Sequence, residues 1–170
     1  MATLVLAGAR GALPHPAVMP PLTFEDQDGK KLALADLRGR VTIIVYGDRS
    51  GLEHHRAWGK RLDGDLRARR GYRAHEAPAT PPVQILALAQ MGGVPGAFRP
   101  LLRSMLRGHV EAGHSLWLDW DDRMSALFGS REAVSTIVVV DRTGAVRLVV
   151  SGRAEGEPYH AVTRQLDHLL

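Results

Sequence analysis

Residues 41–55 read VTIIVYGDRSGLEHH. From Val41 to Gly47 the chain is a β-branched, apolar run of strand length, the pattern of a strand buried on both faces. The pattern then changes. Leu52, His55, Trp58, Leu62 and Leu66 recur at spacings of three and four, which predicts a helix over about Gly51–Arg70 with one inward stripe. Glu53, Arg56, Lys60, Asp63 and Arg67 fall on the outward face, and Asp63–Arg67 has the favourable i,i+4 order. A buried strand running straight into an amphipathic helix is the opening of a strand–helix–strand unit, whose strands pair in parallel through a right-handed crossover.

The flanking sequence extends the unit in both directions. Upstream, Leu22–Gly39 (LTFEDQDGKKLALADLRG) carries alternating apolar residues on either side of an Asp26–Gly29 turn, which predicts a hairpin and then a short helical turn stopped at Gly39. Downstream, Gly71–Pro82 is a loop by its Gly and Pro content, and VQILALA (83–89) is a second strand. Residues 99–110 (RPLLRSMLRGHV) predict a second helix with Leu101, Leu102, Met105 and Leu106 toward the core. HSLWLDW (114–120) is a third strand, with Trp117 and Trp120 on opposite faces, and RMSALFG (123–129) a short helix. STIVVVDRTGAVRLVVSG (135–152) is a hairpin turning at Asp141–Gly144. The closing helix buries Tyr159, Val162, Leu166 and Leu169. This order predicts an α/β fold with a mixed central sheet, an N-terminal β-hairpin and helices on both faces. Residues 1–21, rich in proline near their end, read as an extended leader, and 22–170 as one domain.

Composition narrows the chemistry. The 170 residues contain no cysteine, which removes disulfides, thiolate nucleophiles and cysteine metal sites together. The net charge is +4, but arginines are spread along the chain and mixed with acids, so nucleic acid is not the expected partner. No apolar run reaches the length of a membrane span. The expected compartment is the cytoplasm, or the periplasm if a signal segment has been trimmed; oligomeric state stays open. No cofactor motif is present. His54 and His55 project about 100° apart on a helix and do not chelate together. His109 and His114 have no standard ligand spacing, and Asp119, Asp121 and Asp122 suit turn chemistry better than a calcium loop.

The order and local wording resemble the redoxin branch of the thioredoxin-like superfamily, which includes thiol peroxidases and thiol reductases. FEDQDGKKLALADLRGRVTIIVYG is similar to the redoxin opening and STIVVVDRTGAVRLVVSG to the family's late hairpin. The resemblance runs from about Leu22 to Leu170 and is weakest over 71–110. It implies a thioredoxin-like three-layer α/β/α sandwich. SLWLDWDDRMSALFG and GGVPGAFRPLLRS are also similar to cysteine-poor bacterial proteins of the YtfJ type, a resemblance that implies no catalytic residue.

Redoxins carry C-x-x-C or one reactive cysteine just after the first core strand. Aligned on IIVYGD, that place holds Ser50-Gly51-Leu52-Glu53; a peroxiredoxin register centres instead on His54. The family's second hallmark, a cis-proline or arginine before the late hairpin, falls on Ser135, where a trans bond is expected because a non-proline cis bond costs about 3 kcal/mol. With both positions changed, the resemblance implies a redox-inactive binding module. Its candidate groove is Asp48, Arg49, Ser50, Glu53, His54 and Ser135, facing a peptide or protein partner. Two other readings stay open: a divergent oxidoreductase relative, and an enzyme using Ser50, Asp48 and His54 or His55 without a thiol. Ser50 and Glu53 fit the S-x-x-E capping box, with Ser50 capping the helix and Glu53 reaching back. Arg99, Arg103 and Arg107, four residues apart, form a basic stripe: a solvated face or a docking surface for an acidic partner.

Overall fold

A computed structural model describes residues 15–69, 82–108, 110 and 114–170. The loop expected over 71–82 lies outside these residues except at Pro82, as does His109, and the side chains of Arg49 and Leu52 are also outside them. The elements come in the order read from the sequence: β1 (Thr23–Asp26), β2 (Lys31–Ala33), β3 (Val41–Gly47), α1 (Leu52–Arg69), β4 (Val83–Gln90), α2 (Arg99–Arg107), β5 (Leu116–Asp119), α3 (Arg123–Phe128), β6 (Ser135–Val140), β7 (Val146–Gly152) and α4 (Gly156–Leu169).

They form one mixed seven-stranded sheet in the order β2-β1-β5-β4-β3-β6-β7. β3, β4 and β5 are parallel neighbours, joined by α1 and α2, while β6 runs antiparallel to β3 and carries β7. β3 is buried at every position and lies between β4 and β6, as its unbroken apolar run requires.

Alternation along β3 divides the core. Ile43 and Val45 pack with Trp58, Leu62 and Leu66 of α1 and Tyr159, Val162 and Leu166 of α4. Ile44 and Tyr46 pack with Trp117 and with Met124 and Phe128 of α3. Trp120 joins a third cluster, with Ala89, Met91 and Leu118, under Leu102 and Leu106 of α2. Two inward residues expected on α2 are not inward: Leu101 and Met105 are exposed, as is Phe98. The face turned to the sheet is instead Arg99, Leu102, Arg103 and Leu106, because the two arginines reach acids on neighbouring elements and roll the helix toward them.

Residues 17–19 lie against the late hairpin. Val18 bridges Ala145, Met19 N–H donates to Gly144 O and Val146 N–H to Ala17 O, both at 2.9 Å. Among the described residues no helix is long and apolar enough to cross a membrane.

Candidate functional site

The junction between β3 and α1 is a short 3-10 turn, Arg49–Gly51, organised by Asp48. Gly51 N–H reaches the Asp48 carbonyl at 3.3 Å and Asp48 Oδ1 at 3.0 Å, and Ser50 Oγ donates to the same Oδ1 at 2.6 Å. The same Asp-x-x-Gly device builds both hairpin turns. Asp26 Oδ1 accepts from the N–H groups of Asp28 and Lys30 at 2.9 Å each, and Asp141 Oδ1 from those of Thr143 and Ala145 at 2.8 and 3.0 Å. Gly29 and Gly144 have φ of +83° and +92° and reverse the chain. Gly51 is not among the positive-φ residues, so here the chain runs on into a helix.

The capping box expected of Ser50 and Glu53 does not form. Ser50 spends its hydroxyl on Asp48, and the Glu53 carboxylate pairs with Arg56 at 3.1 Å. A carboxylate is a stronger acceptor than a hydroxyl for the free N–H groups at a helix start, and Asp48 stands close enough to take them. The Ser50 hydroxyl holds the Asp48 carboxyl below the usual carboxylate range; burial opposes this, and the amides of Gly51, Ala133 and Ser50 reinforce it.

His55, one turn into α1, points inward as the stripe predicted and is only 9% exposed. Its Nε2 occupies space left by two glycines. A Cβ on Gly47 would stand 2.4 Å from Nε2, and one on Gly51 would stand 3.2 Å from it. Nε2 has no hydrogen-bond partner among the described residues. Burial pushes the imidazole below its ordinary range; Asp48 partly counters this and His54 adds to it.

Ser135 opens β6. Tyr46 lies opposite Thr136, so Gly47 and Ser135 come next along the same two strands. Ser135 is 0% exposed, and its Oγ, like His55 Nε2, has no partner among the described residues. No described peptide bond is cis. The residues before it run beside the 3-10 turn: a Cβ on Gly51 would lie 3.6 Å from both Ala133 C and Val134 N, at ordinary van der Waals distance. Ala133 has φ +56°, a left-handed conformation that a residue with a Cβ adopts at a cost.

Of the candidate groove residues, the structure therefore brings Asp48, Ser50 and Ser135 to one end of the sheet, around His55. Glu53 is on the exposed outer face, and His54 is half-buried beside His55. A serine–imidazole pair is not assembled at Ser50, because the hydroxyl donates to Asp48 and the inward imidazole is unpartnered at Nε2.

The arginine stripe sits apart, on α2. Each guanidinium meets an acid of the same chain: Arg99 with Asp121 at 3.6 Å, Arg103 with Glu25 at 2.9 Å and Arg107 with Asp28 at 3.1 Å. Arg99 also lies 5.0 Å over the Trp120 ring. Of the aspartates at the end of β5, Asp119 serves the local turn, accepting from Met124 N–H at 2.8 Å, while Asp122 accepts from the distant Gly92 N–H at 2.9 Å and Asp121 pairs with Arg99 and Arg123.

No family model matches the chain, and neither does any curated protein. Solved structures do match. A structure described as a candidate thiol:disulfide interchange protein DsbE from Chlorobium tepidum is 17% identical, covers 93% of this chain and 99% of its own, and has a TM-score of 0.60. A SCO1/SenC family lipoprotein from Bacillus anthracis is 15% identical over 95% and 99%, with a TM-score of 0.58. A candidate protein disulfide isomerase from Bacteroides thetaiotaomicron is 18% identical over 93% and 91%, with a TM-score of 0.55. The fold is thus thioredoxin-like, on a chain without cysteine.

Proposed function

We propose that this chain is a thioredoxin-fold binding module that works without thiol redox chemistry, holding a peptide or protein partner at the cleft between the Asp48–Glu53 turn and the loop leading to Ser135. The observation that carries the reading is what surrounds Ser50, the position aligned with a redoxin thiol: the Asp48 carboxylate, which takes the Ser50 hydroxyl and the Gly51 amide, and the buried His55 imidazole. Neither group can cycle between thiol, sulfenic acid and disulfide. A carboxylate on the helix start also takes the place that would otherwise attract an anion. The arginine stripe is a weaker docking surface, because its three charges already face acids of the same chain.

Two measurements test the proposal. Purified protein should neither reduce insulin disulfides nor consume hydrogen peroxide; turnover of either refutes it. Affinity capture from the native lysate should yield a partner that is lost when Arg49 and Ser135 are substituted. Capture untouched by both substitutions moves the binding surface elsewhere.

A further inference from the structure

Two of the buried polar atoms without a partner, His55 Nε2 and Ser135 Oγ, occur at the same junction, on opposite sides of the contact between the α1 turn and the loop leading into β6. A buried polar atom left unpaired is costly, and water satisfies both as soon as the two segments part. Closure is held by the Ala133 N–H, which donates to Asp48; the Ala133–Val134 backbone lies 3.6 Å from the Cβ position of Gly51, and Ala133 is kept in a left-handed conformation. These are the elements of a two-state contact. The closed form hides two unsatisfied groups and strains one residue, while the open form hydrates the groups and frees the residue.

We propose that His55 is a proton-operated latch on this cleft: protonation of its imidazole draws the Asp48 carboxylate toward Nε2 and releases the Ala133–Ser135 segment from the 3-10 turn before α1. The geometry places the two groups for this. Gly51 N–H donates to Asp48 Oδ1 at 3.0 Å, and the Cβ position of the same glycine is 3.2 Å from His55 Nε2, so acid and imidazole flank one residue. The charged groups that act on the imidazole are Asp48, from the turn before α1, and His54, beside it on α1. The sign follows. Closure favours the neutral ring, so the closed form binds fewer protons than the open one, and opening gains as pH falls below the ordinary histidine value of 6.5. Asp48 keeps its charge through that range because its own value is lowered. Opening uncovers Ser135 and the Ala133–Val134 backbone ahead of β6, whose own residues are already paired with β3 and β7.

The latch is a property of the chain alone, so its test needs no partner and can fail independently of the binding reading. Amide hydrogen exchange is followed at Gly51 and at Val134–Thr136 between pH 7.5 and pH 5, corrected for intrinsic rates, with Ile43 and Val139 of the sheet as controls. The expected result is a loss of protection at the junction approaching about tenfold per pH unit below pH 6.5, with the controls unchanged. His55→Gln should abolish the pH dependence. If that variant does not fold, titration of the His55 ring by NMR in the native chain decides. A ring that stays neutral to pH 5, or junction amides whose protection does not change with pH, overturns the latch. So does the same pH dependence in folded His55→Gln.

Discussion

His55 Nε2 lies 2.4 Å from where a side chain on Gly47 would begin. The last residue of β3 is therefore a glycine for a reason set one turn into the following helix. Gly47→Ala should cost about 1–3 kcal/mol, the usual penalty for overpacking a closed site. In a His55→Ala background the penalty should shrink, since the remaining close contact is Val134 O at 3.0 Å. Urea denaturation of the four proteins in the cycle measures this; equal penalties in both backgrounds would separate the two residues.

Asp48, not Ser50, caps the junction. Asp48→Ala should cost about 1 kcal/mol and Ser50→Ala only a few tenths, roughly. Thermal or chemical unfolding compares them directly. A larger loss at Ser50 would return the cap to the serine.

Asp141 gives the late hairpin a pH dependence. Burial works against its ionised form, but Thr143, Arg147 and the turn amides outweigh that and hold the carboxyl well below its ordinary value of 3.8. A depressed folded value means the stabilisation is present above 3.8 and lost as pH falls toward the folded value. Asp141→Asn should lower stability at neutral pH by roughly 1–3 kcal/mol and flatten the acid arm of the stability–pH curve. Denaturant melts from pH 7 to pH 2 report both effects, and an unchanged acid arm would remove Asp141 from that role.

Arg103 fastens α2 to β1 through Glu25, which also accepts from Trp120 Nε1 at 3.3 Å. Both charged side chains are about three-quarters covered, so their coupling should exceed that of a fully exposed pair. A double-mutant cycle with Arg103→Ala and Glu25→Ala should return about 0.5–1 kcal/mol. The swapped pair Glu25→Arg with Arg103→Glu should recover part of it. Zero coupling would make the stripe a solvated face.

The order of the elements was legible in the chain because periodicity and turn chemistry are local. Residues Val41–Gly47 could be a buried strand because they have no polar face to offer, and Tyr159, Val162 and Leu166 recur at helical spacing wherever that helix packs. Zero cysteine showed that this sequence offers no thiol side chain before any geometry was known. The Asp48 cap carried a readable signal too, since Asp48–Gly51 repeats the Asp-x-x-Gly spacing of Asp26–Gly29 and Asp141–Gly144. The S-x-x-E pattern overlapped it, and spacing alone does not say which acceptor wins.

Tertiary structure decided what distant segments impose on one another. The inward stripe put His55 inside, but only the pairing of β3 with β6 set its ring among Gly47, Gly51 and the Ala133–Val134 backbone, about eighty residues away along the chain. The left-handed Ala133 has no mark in the sequence, because alanine has no preference for that conformation. The roll of α2, with Leu101 and Met105 outward, goes with Glu25 of β1 and Asp121 after β5 meeting its arginines. Local sequence determines which face of an element is able to be buried. Which polar groups meet on that face depends on strand order and register, and those form only when the whole sheet does.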